Sequence, residues 1–226
     1  MVDLLEGICT TRAIRRYRPE PIPEDDLAAI LFAATRAPSG SNRQPFRFVV
    51  LRDSPVAKEA KALLADGFQG IWRAKREQDG YDAGSGRDES SPKARMARTM
   101  DRFVDTFADT PVVVLACLQR YRAPMPTEGA SVYPACQNLL LAARALGYGG
   151  VMTIWHAPVE TQLKALLGIP DDVLVAATIP LGRPEGHHGP VRRRPMQELV
   201  YEDRWEDAAP WAVDPEGTRY TKAGPG

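Results

Sequence analysis

The sequence of 226 residues has few of the side chains that build a disulfide framework or a metal site. Its three cysteines, Cys9, Cys117 and Cys136, are odd in number and show no CxxC spacing, so we do not expect disulfides. Each lies in an apolar stretch of sequence, which favours a place in the core. The three histidines also lack metal-ligand spacing, so we predict no metal site, and we expect the pair His187 and His188 to lie in a solvated loop.

Long apolar runs and an excess of one charge are missing as well. No run approaches the ~20 residues of a membrane span, and Asp3 and Glu6 near the start are unlike a secretory signal. Basic and acidic side chains balance at 29 each, so the chain has no general attraction to nucleic acid or an anionic membrane. With 44% apolar residues it can bury a substantial core. We expect a reduced, cytoplasmic protein that uses neither nucleic acid nor membrane as a partner.

Helical and strand patterns alternate along the chain, which predicts a single α/β or α+β domain. The predicted helices cover residues 2–10, residues 24 towards Pro38, and residues 56–64, 94–107, 131–146 and 158–167. The predicted strands cover residues 46–51, 111–118 and 173–181. Within the fifth helix, Ser131 is the expected N-cap and Gly147 the stop. The glycine run Gly147–Trp155 follows a helix instead of preceding one, so it is not a dinucleotide-binding fingerprint.

Residues 66–108 are the least regular part of the pattern. Residues 79–86 are rich in small polar side chains and predict a mobile loop. The apolar stripe at 94–107 is typical of a core or subunit interface. Three aromatic side chains of this part are candidates for stacking on a bound molecule: Phe68, Trp72 and Tyr81.

Cationic side chains are concentrated in two short arms. Arg12, Arg15 and Arg16 follow the first predicted helix, and residues 192–194 are all arginine. Guanidinium groups at this spacing suit the capture of a phosphate by paired hydrogen bonds, although a solvated basic face has the same pattern. In a neutral chain, we interpret these arms as local devices that close on a small anion.

Residues 37–48 form a polar loop between an amphipathic helix and an apolar strand. Pro38 ends the helix, Gly40 permits a left-handed backbone, and several short hydrogen-bonding side chains follow. Such a loop can contact the polar edge of a flat heterocycle. An ordinary polar turn has the same composition.

Taken in the order of the chain, these segments resemble the motifs of the nitroreductase family of FMN enzymes. Residues 37–48 are similar to the family's Pro-Ser-x-x-Asn-x-Gln-Pro-aromatic loop, which lines the flavin. Residues 12–17 resemble its N-terminal arginine motif, and residues 191–196 its C-terminal basic motif. With the glycine run near residue 150, the resemblance covers about residues 5–205.

The resemblance implies a mixed central sheet flanked by helices, in an intertwined homodimer with FMN at the subunit interface. Residues 1–205 would form one FMN-binding domain with a lid at about 66–108. Residues 206–226 would be a partly flexible extension that wraps over the partner. The polar loop would serve the flavin of the opposite subunit.

The resemblance also implies roles at the flavin. Arg12 would hold the phosphate with Arg193, Ala13 would contribute its backbone, and Arg15 would face N1 and O2 of the ring. A backbone N–H in residues 153–155 would meet N5. No side chain is expected to act as a catalytic acid or base. The implied FMN-binding residues are Arg12, Ala13, Arg15, Pro38, Ser39, Gly40, Ser41, Asn42, Gln44, Thr153, Ile154, Trp155 and Arg193.

The activity implied is hydride transfer from NAD(P)H through FMN to a nitroaromatic, a quinone or a related small electrophile, in a ping-pong scheme. Two alternatives belong to the same superfamily: reductive dehalogenation, as in iodotyrosine deiodinase, and flavin fragmentation, as in dimethylbenzimidazole synthases. A third alternative is a flavin-binding protein without turnover.

Overall fold

A computed structural model describes residues 2–218 and shows a four-stranded sheet at the centre of the protein. The strands are β1 (Phe46–Leu51), β2 (Val112–Gln119), β3 (Gly149–Gly150) and β4 (Val173–Gly182). They lie in the order β1-β2-β4-β3, and each neighbouring pair is antiparallel. A parallel strand, which the predicted mixed sheet requires, is not among the strand pairings within residues 2–218. All three longer strands were predicted to within about one residue, because each is a short apolar run.

Six α-helices surround the sheet in the described part of the chain. They are α1 (Leu4–Thr10), α2 (Glu24–Thr35), α3 (Pro55–Gln78), α4 (Pro92–Asp105), α5 (Tyr133–Ala145) and α6 (Glu160–Leu167). Local chemistry sets their beginnings: Ser54 and Ser91 cap α3 and α4 through their hydroxyl groups, each followed by a proline at the first helical position. Among residues 2–218, no helix is both long and apolar enough to cross a membrane.

Strand β2 divides the core into two layers, because successive side chains of a strand point to opposite faces. Its even-numbered residues pack with α2 and α5, and its odd-numbered residues pack with α3, α4 and α6. All of β2 except its last residue is buried, which explains its unbroken apolar sequence. The helix-flanked sheet confirms the predicted α+β class.

Two of the three cysteines are core residues as predicted. Cys117 lies on β2 and Cys136 on α5, and burial raises their pKa values to about 11 and about 12, so both remain thiols at neutral pH. The prediction is wrong for Cys9, which is exposed on α1.

Most of residues 66–108 are helical. Helix α4 (Pro92–Asp105) confirms the helix predicted over 94–107, whereas α3 continues to Gln78, well beyond its predicted end, and residues 79–91 form turns. The role of this part as a lid stays a prediction. Phe68 and Trp72 lie on the buried face of α3 at 0% and 4% exposure, and the Phe68 ring is 4.3 Å from that of Phe107. These two aromatic residues belong to the core, so the prediction that they stack on a bound molecule is wrong.

Two further corrections concern α5 and the C-terminal segment. Helix α5 begins at Tyr133, and Ser131 lies in the preceding 3-10 turn instead of capping the helix. Gly147, with φ 82°, ends the helix region as predicted. The tail pairs with itself through a bridge between Tyr201 and Ala208. The flexibility predicted for the last residues falls mainly on 219–226, outside the described residues, and the contact of the tail with a partner stays a prediction.

Candidate functional site

The first arginine arm lies along the edge of the sheet as an extended segment, residues 11–18. The Ile14 N–H donates to the carbonyl oxygen of Gly150 at 2.9 Å, and the Arg18 N–H donates to that of Arg183 at 2.9 Å. These backbone bonds join the start of the chain to β3 and to the end of β4. The arm is therefore fixed by the sheet and not by its own charged side chains.

Glycines of the sheet make room for this arm. A Cβ placed on Gly149 would lie 2.6 Å from Cγ1 of Ile14, and one on Gly182 would lie 2.9 Å from Cβ of Tyr17. Carbon atoms pack at about 3.5–4.0 Å, so any side chain at either position would push the arm away. The glycine run thus serves the packing of the arginine arm, a use that sequence reasoning missed.

An apolar cavity of about 440 Å³ opens between α4 and residues 151–155, which follow β3. Thioether, aliphatic and aromatic groups dominate its wall, and Arg15 is its one cation. The lining residues are Arg15, Met100, Phe103, Tyr133, Val151, Met152, Thr153, Ile154 and Trp155. Its size and apolar wall suit a flat organic ring system.

A second, basic cavity of about 310 Å³ adjoins the first, since Arg15 lines both. Four arginines and a histidine line it without a carboxylate. Its wall consists of Arg12, Ala13, Ile14, Arg15, Arg16, Pro92, Arg95, Met96, Thr99, Gly186 and His187. The neighbouring cavities together suit a ligand with a flat apolar part and an anionic part.

Arg15 is half-buried where the two cavities meet. Desolvation lowers the pKa of its guanidinium from the ordinary value, and the nearby Tyr17 and Tyr81 oppose this change. An arginine stays protonated in proteins, so the site keeps a partly desolvated positive charge. Such a charge interacts more strongly with a developing negative charge than a solvated one would.

Residues 153–155 present one free backbone donor. The Thr153 N–H donates to Thr178 O at 3.0 Å, and the Trp155 N–H to the Thr153 hydroxyl at 3.3 Å. The Ile154 N–H has no acceptor within residues 2–218. Since Ile154 lines the apolar cavity, its N–H is the candidate donor to a bound ring.

The polar loop is held in an unusual backbone conformation. Ser41, Asn42 and Gln44 have φ near 50°, a region that costs a residue with a side chain about 1–2 kcal/mol. The left-handed residues are these three and not Gly40, where the sequence suggested one. The Ser39 hydroxyl accepts the Gln44 N–H at 2.8 Å. None of residues 38–44 lines either cavity of its own chain.

The second arginine arm is not brought to the basic cavity. Arg193 is exposed, and its guanidinium donates to the carbonyl oxygen of Arg192 at 2.8 Å. Its role toward a phosphate stays a prediction. In contrast, Arg95 and His187 line the cavity although sequence reasoning gave neither a role.

Comparison with known proteins agrees with this geometry. The Nitroreductase family model matches residues 8–183. A protein named NADH dehydrogenase from Thermus thermophilus is 32% identical over 88% of this chain and 96% of its own length. An iodotyrosine deiodinase from Thermotoga neapolitana is 25% identical over 84% of this chain and 91% of its own.

A solved structure has the same fold. It is a nitroreductase in complex with FMN from Desulfovibrio desulfuricans, which is 26% identical, with a TM-score of 0.64 and coverage of 91% of this chain and 99% of that one. The family match runs from the end of α1 to the end of β4 and includes the arginine arm, the polar loop and most of the residues that line the two cavities. The chain belongs to the nitroreductase family.

Proposed function

We propose that the protein is an FMN-dependent oxidoreductase that transfers electrons from NAD(P)H to a nitroaromatic, a quinone or a related small electrophile by a ping-pong scheme. The observation that carries the proposal is the pair of adjoining cavities that share Arg15. When bound, FMN would accept hydride at N5 and pass the electrons to the acceptor. The chain's own residues bind this group, orient it and adjust its electronic properties.

The residues of the two cavities fit FMN. The apolar cavity, with Val151 and Trp155 in its wall, suits the isoalloxazine ring, and the basic cavity suits the ribityl phosphate. Arg12 would hold the phosphate, with Ala13 beside it. Arg15, between the two cavities, would face the pyrimidine edge and stabilise negative charge at N1 and O2 of the reduced ring.

The Ile154 N–H would donate a hydrogen bond to the ring near N5. It is the one N–H of residues 153–155 that no other protein group within 2–218 uses. A fixed backbone donor at this place would draw electron density from N5 and so make that atom a better hydride acceptor. Because no acidic or basic side chain lines the apolar cavity apart from Arg15, the protein would steer the reaction by position and charge.

The polar loop supports a homodimer with FMN at the interface. The loop keeps three residues with positive φ, yet it lines neither cavity of its own chain. Backbone strain of this kind persists where surrounding structure or function requires it. The apolar residues Leu4, Leu5 and Ile8 of α1 are also 49–71% exposed in the single chain. A second copy would cover them and receive the loop at its own flavin.

The first experiment is a visible spectrum of the purified protein, recorded without oxygen before and after NADPH or NADH. Flavin bands that bleach with either nucleotide and return when a nitroaromatic or quinone is added would support the proposal. A flavin that responds to neither nucleotide would contradict it. A colourless protein that cannot be loaded with FMN would remove the cofactor from the proposal as well.

Reductive dehalogenation is the second candidate, favoured by the similarity to an iodotyrosine deiodinase over 84% of this chain. An amino-acid substrate needs an acceptor for its ammonium group, and the described wall of the apolar cavity contains no carboxylate. That wall suits a neutral aromatic electrophile better. Iodide release from iodotyrosine with reduced protein would reverse this preference.

A further inference from the structure

The basic cavity holds more positive charge than the chain itself neutralises. None of its four arginines, Arg12, Arg15, Arg16 and Arg95, forms an ion pair with a carboxylate in the described chain. Elsewhere on α3 and α4, arginines do find such partners. Arg76 pairs with Asp82 and Asp101, and Arg102 pairs with Glu185.

Unpaired guanidinium groups around one cavity repel one another, and a bound anion relieves that repulsion. With Arg15 assigned to the ring, the phosphate has candidates on two different elements. Arg12 and Arg16 come from the arginine arm, and Arg95 comes from α4.

A well-packed helix fixes the position of Arg95. Ser91 caps the beginning of α4, and Ala94, Ala97 and Met100 bury its inner face. The Arg95 guanidinium also donates to the carbonyl oxygen of Ser90, which holds the side chain over the first turn. Thr99, one turn further along, places a hydroxyl-bearing side chain on the same wall of the cavity. Arg95 is therefore held in place before any ligand binds.

We propose that Arg95 binds the phosphate of FMN together with Arg12. This inference rests on the proposed function and adds a binding residue to it. Arg95 contributes a basic group from α4, within residues 66–108, to the cavity that Arg12 also lines, and the role of Arg193 toward the phosphate stays a prediction. Binding of FMN links α4 to the arginine arm and so stabilises the turns at 79–91 that precede the helix.

The test compares FMN with riboflavin, which has the same ring and ribityl chain but no phosphate. Titrations that follow flavin fluorescence give both dissociation constants for the wild type and for Arg95→Ala. Loss of one charge-assisted hydrogen bond weakens FMN binding by about tenfold to a hundredfold and leaves riboflavin binding unchanged. The ratio of the two constants reports the phosphate contact alone.

Arg98→Ala is the matched control. Arg98 lies one turn along the same helix, lines neither cavity, and donates to the Glu89 carbonyl oxygen at 2.9 Å. We expect this variant to bind both flavins as the wild type does. If Arg95→Ala does not fold, Arg95→Gln, which keeps a long polar side chain without the charge, supplies the same ratio.

A second readout follows hydrogen exchange of residues 79–91. FMN should slow exchange there in the wild type and in Arg98→Ala, but not in Arg95→Ala. The proposal is overturned if Arg95→Ala keeps the wild-type ratio of FMN to riboflavin affinity. A wild type that binds neither flavin would instead refute the proposed function, so the two failures are distinguishable.

Discussion

Gly149→Ala tests whether the sheet edge holds the arginine arm in place. The added Cβ would lie 2.6 Å from Ile14 Cγ1 and 3.0 Å from Ile14 Cβ. Relief needs a shift of about 1 Å, since carbon atoms pack at about 3.5–4.0 Å. Rotation of the Ile14 side chain would move Cγ1 but not Cβ, so the 3.0 Å contact with Cβ would remain. The backbone of the arm has to move, which strains the 2.9 Å bond from the Ile14 N–H to Gly150.

Overpacking of this kind costs about 1–3 kcal/mol, and the smaller backbone entropy of an unfolded alanine returns about 0.4–1 kcal/mol. We therefore expect the free energy of unfolding to fall by roughly 1–2 kcal/mol. In a chain of this size, that corresponds to a midpoint lower by about 2–8 °C. The same shift should weaken FMN binding, because Arg12 and Arg15 move with the arm.

Denaturant titration and FMN titration measure the two effects. Gly70→Ala is the control, because Gly70 lies within α3 and a Cβ there meets nothing within 4 Å. We expect this control to gain about 0.5–1 kcal/mol from better helix propensity and to bind FMN normally. A Gly149→Ala protein with wild-type stability and wild-type FMN affinity would refute the idea that packing against Gly149 positions the arm.

Three further outcomes are expected. Arg15→Ala should weaken FMN binding and lower the flavin midpoint potential. The potential falls by about 30 mV for each tenfold loss of preference for the two-electron reduced form. Arg15→Lys is the control because it keeps the charge, and an unchanged potential in Arg15→Ala would contradict the role of Arg15. Burial lowers the pKa of His156, whose ring contacts the Val175 carbonyl oxygen at 2.7 Å. Below a pH of about 6.5, the unfolded chain therefore gains a proton that the folded protein does not. As the pH is lowered through this range, the free energy of unfolding decreases by at most about 1.4 kcal/mol per pH unit. His156→Gln should show a smaller loss in denaturant titrations between pH 7 and 5, and an equal loss would exclude His156 as its source. Gly168→Ala should lower the free energy of unfolding by about 1 kcal/mol in the same titration, because Gly168 ends α6 with φ 65°. An added Cβ would meet no atom within 4 Å, so the cost comes from the backbone conformation alone. An unchanged free energy of unfolding would argue against a left-handed residue there.

The sequence predicted best what local patterns determine. Strands β2 and β4 are apolar runs that the core requires, and their bounds differ from prediction by about one residue. Helix α3 was predicted too short, because Gly67 and Gly70 and several charged residues weaken its pattern. The signal was present nonetheless, since Leu64, Phe68 and Trp72 repeat at the four-residue spacing of one buried helix face.

The site was harder to predict, because its parts meet only after folding. Arg95 is locally one cation among several on an exposed helix face, and only the tertiary structure brings it to the same cavity as Arg12. The left-handed residues of the polar loop were hidden in part: asparagine favours that conformation and so signals Asn42, but serine and glutamine carry no such preference. The resemblance to the nitroreductase family identified the arginine arm and the loop but not Arg95.

The backbone bonds of the arginine arm also set the order in which the site can form during synthesis. Residues 11–18 leave the ribosome early, but their partners Gly150, Arg183 and Glu185 are made 136 to 169 residues later. Chains are synthesised at about 5–20 residues per second, so the arm lacks its backbone hydrogen-bond partners for several seconds. Such long sequence separation is characteristic of slow, late contacts. The arginine arm can therefore reach its final place at the sheet edge only after β4 and residues 183–185 have been released.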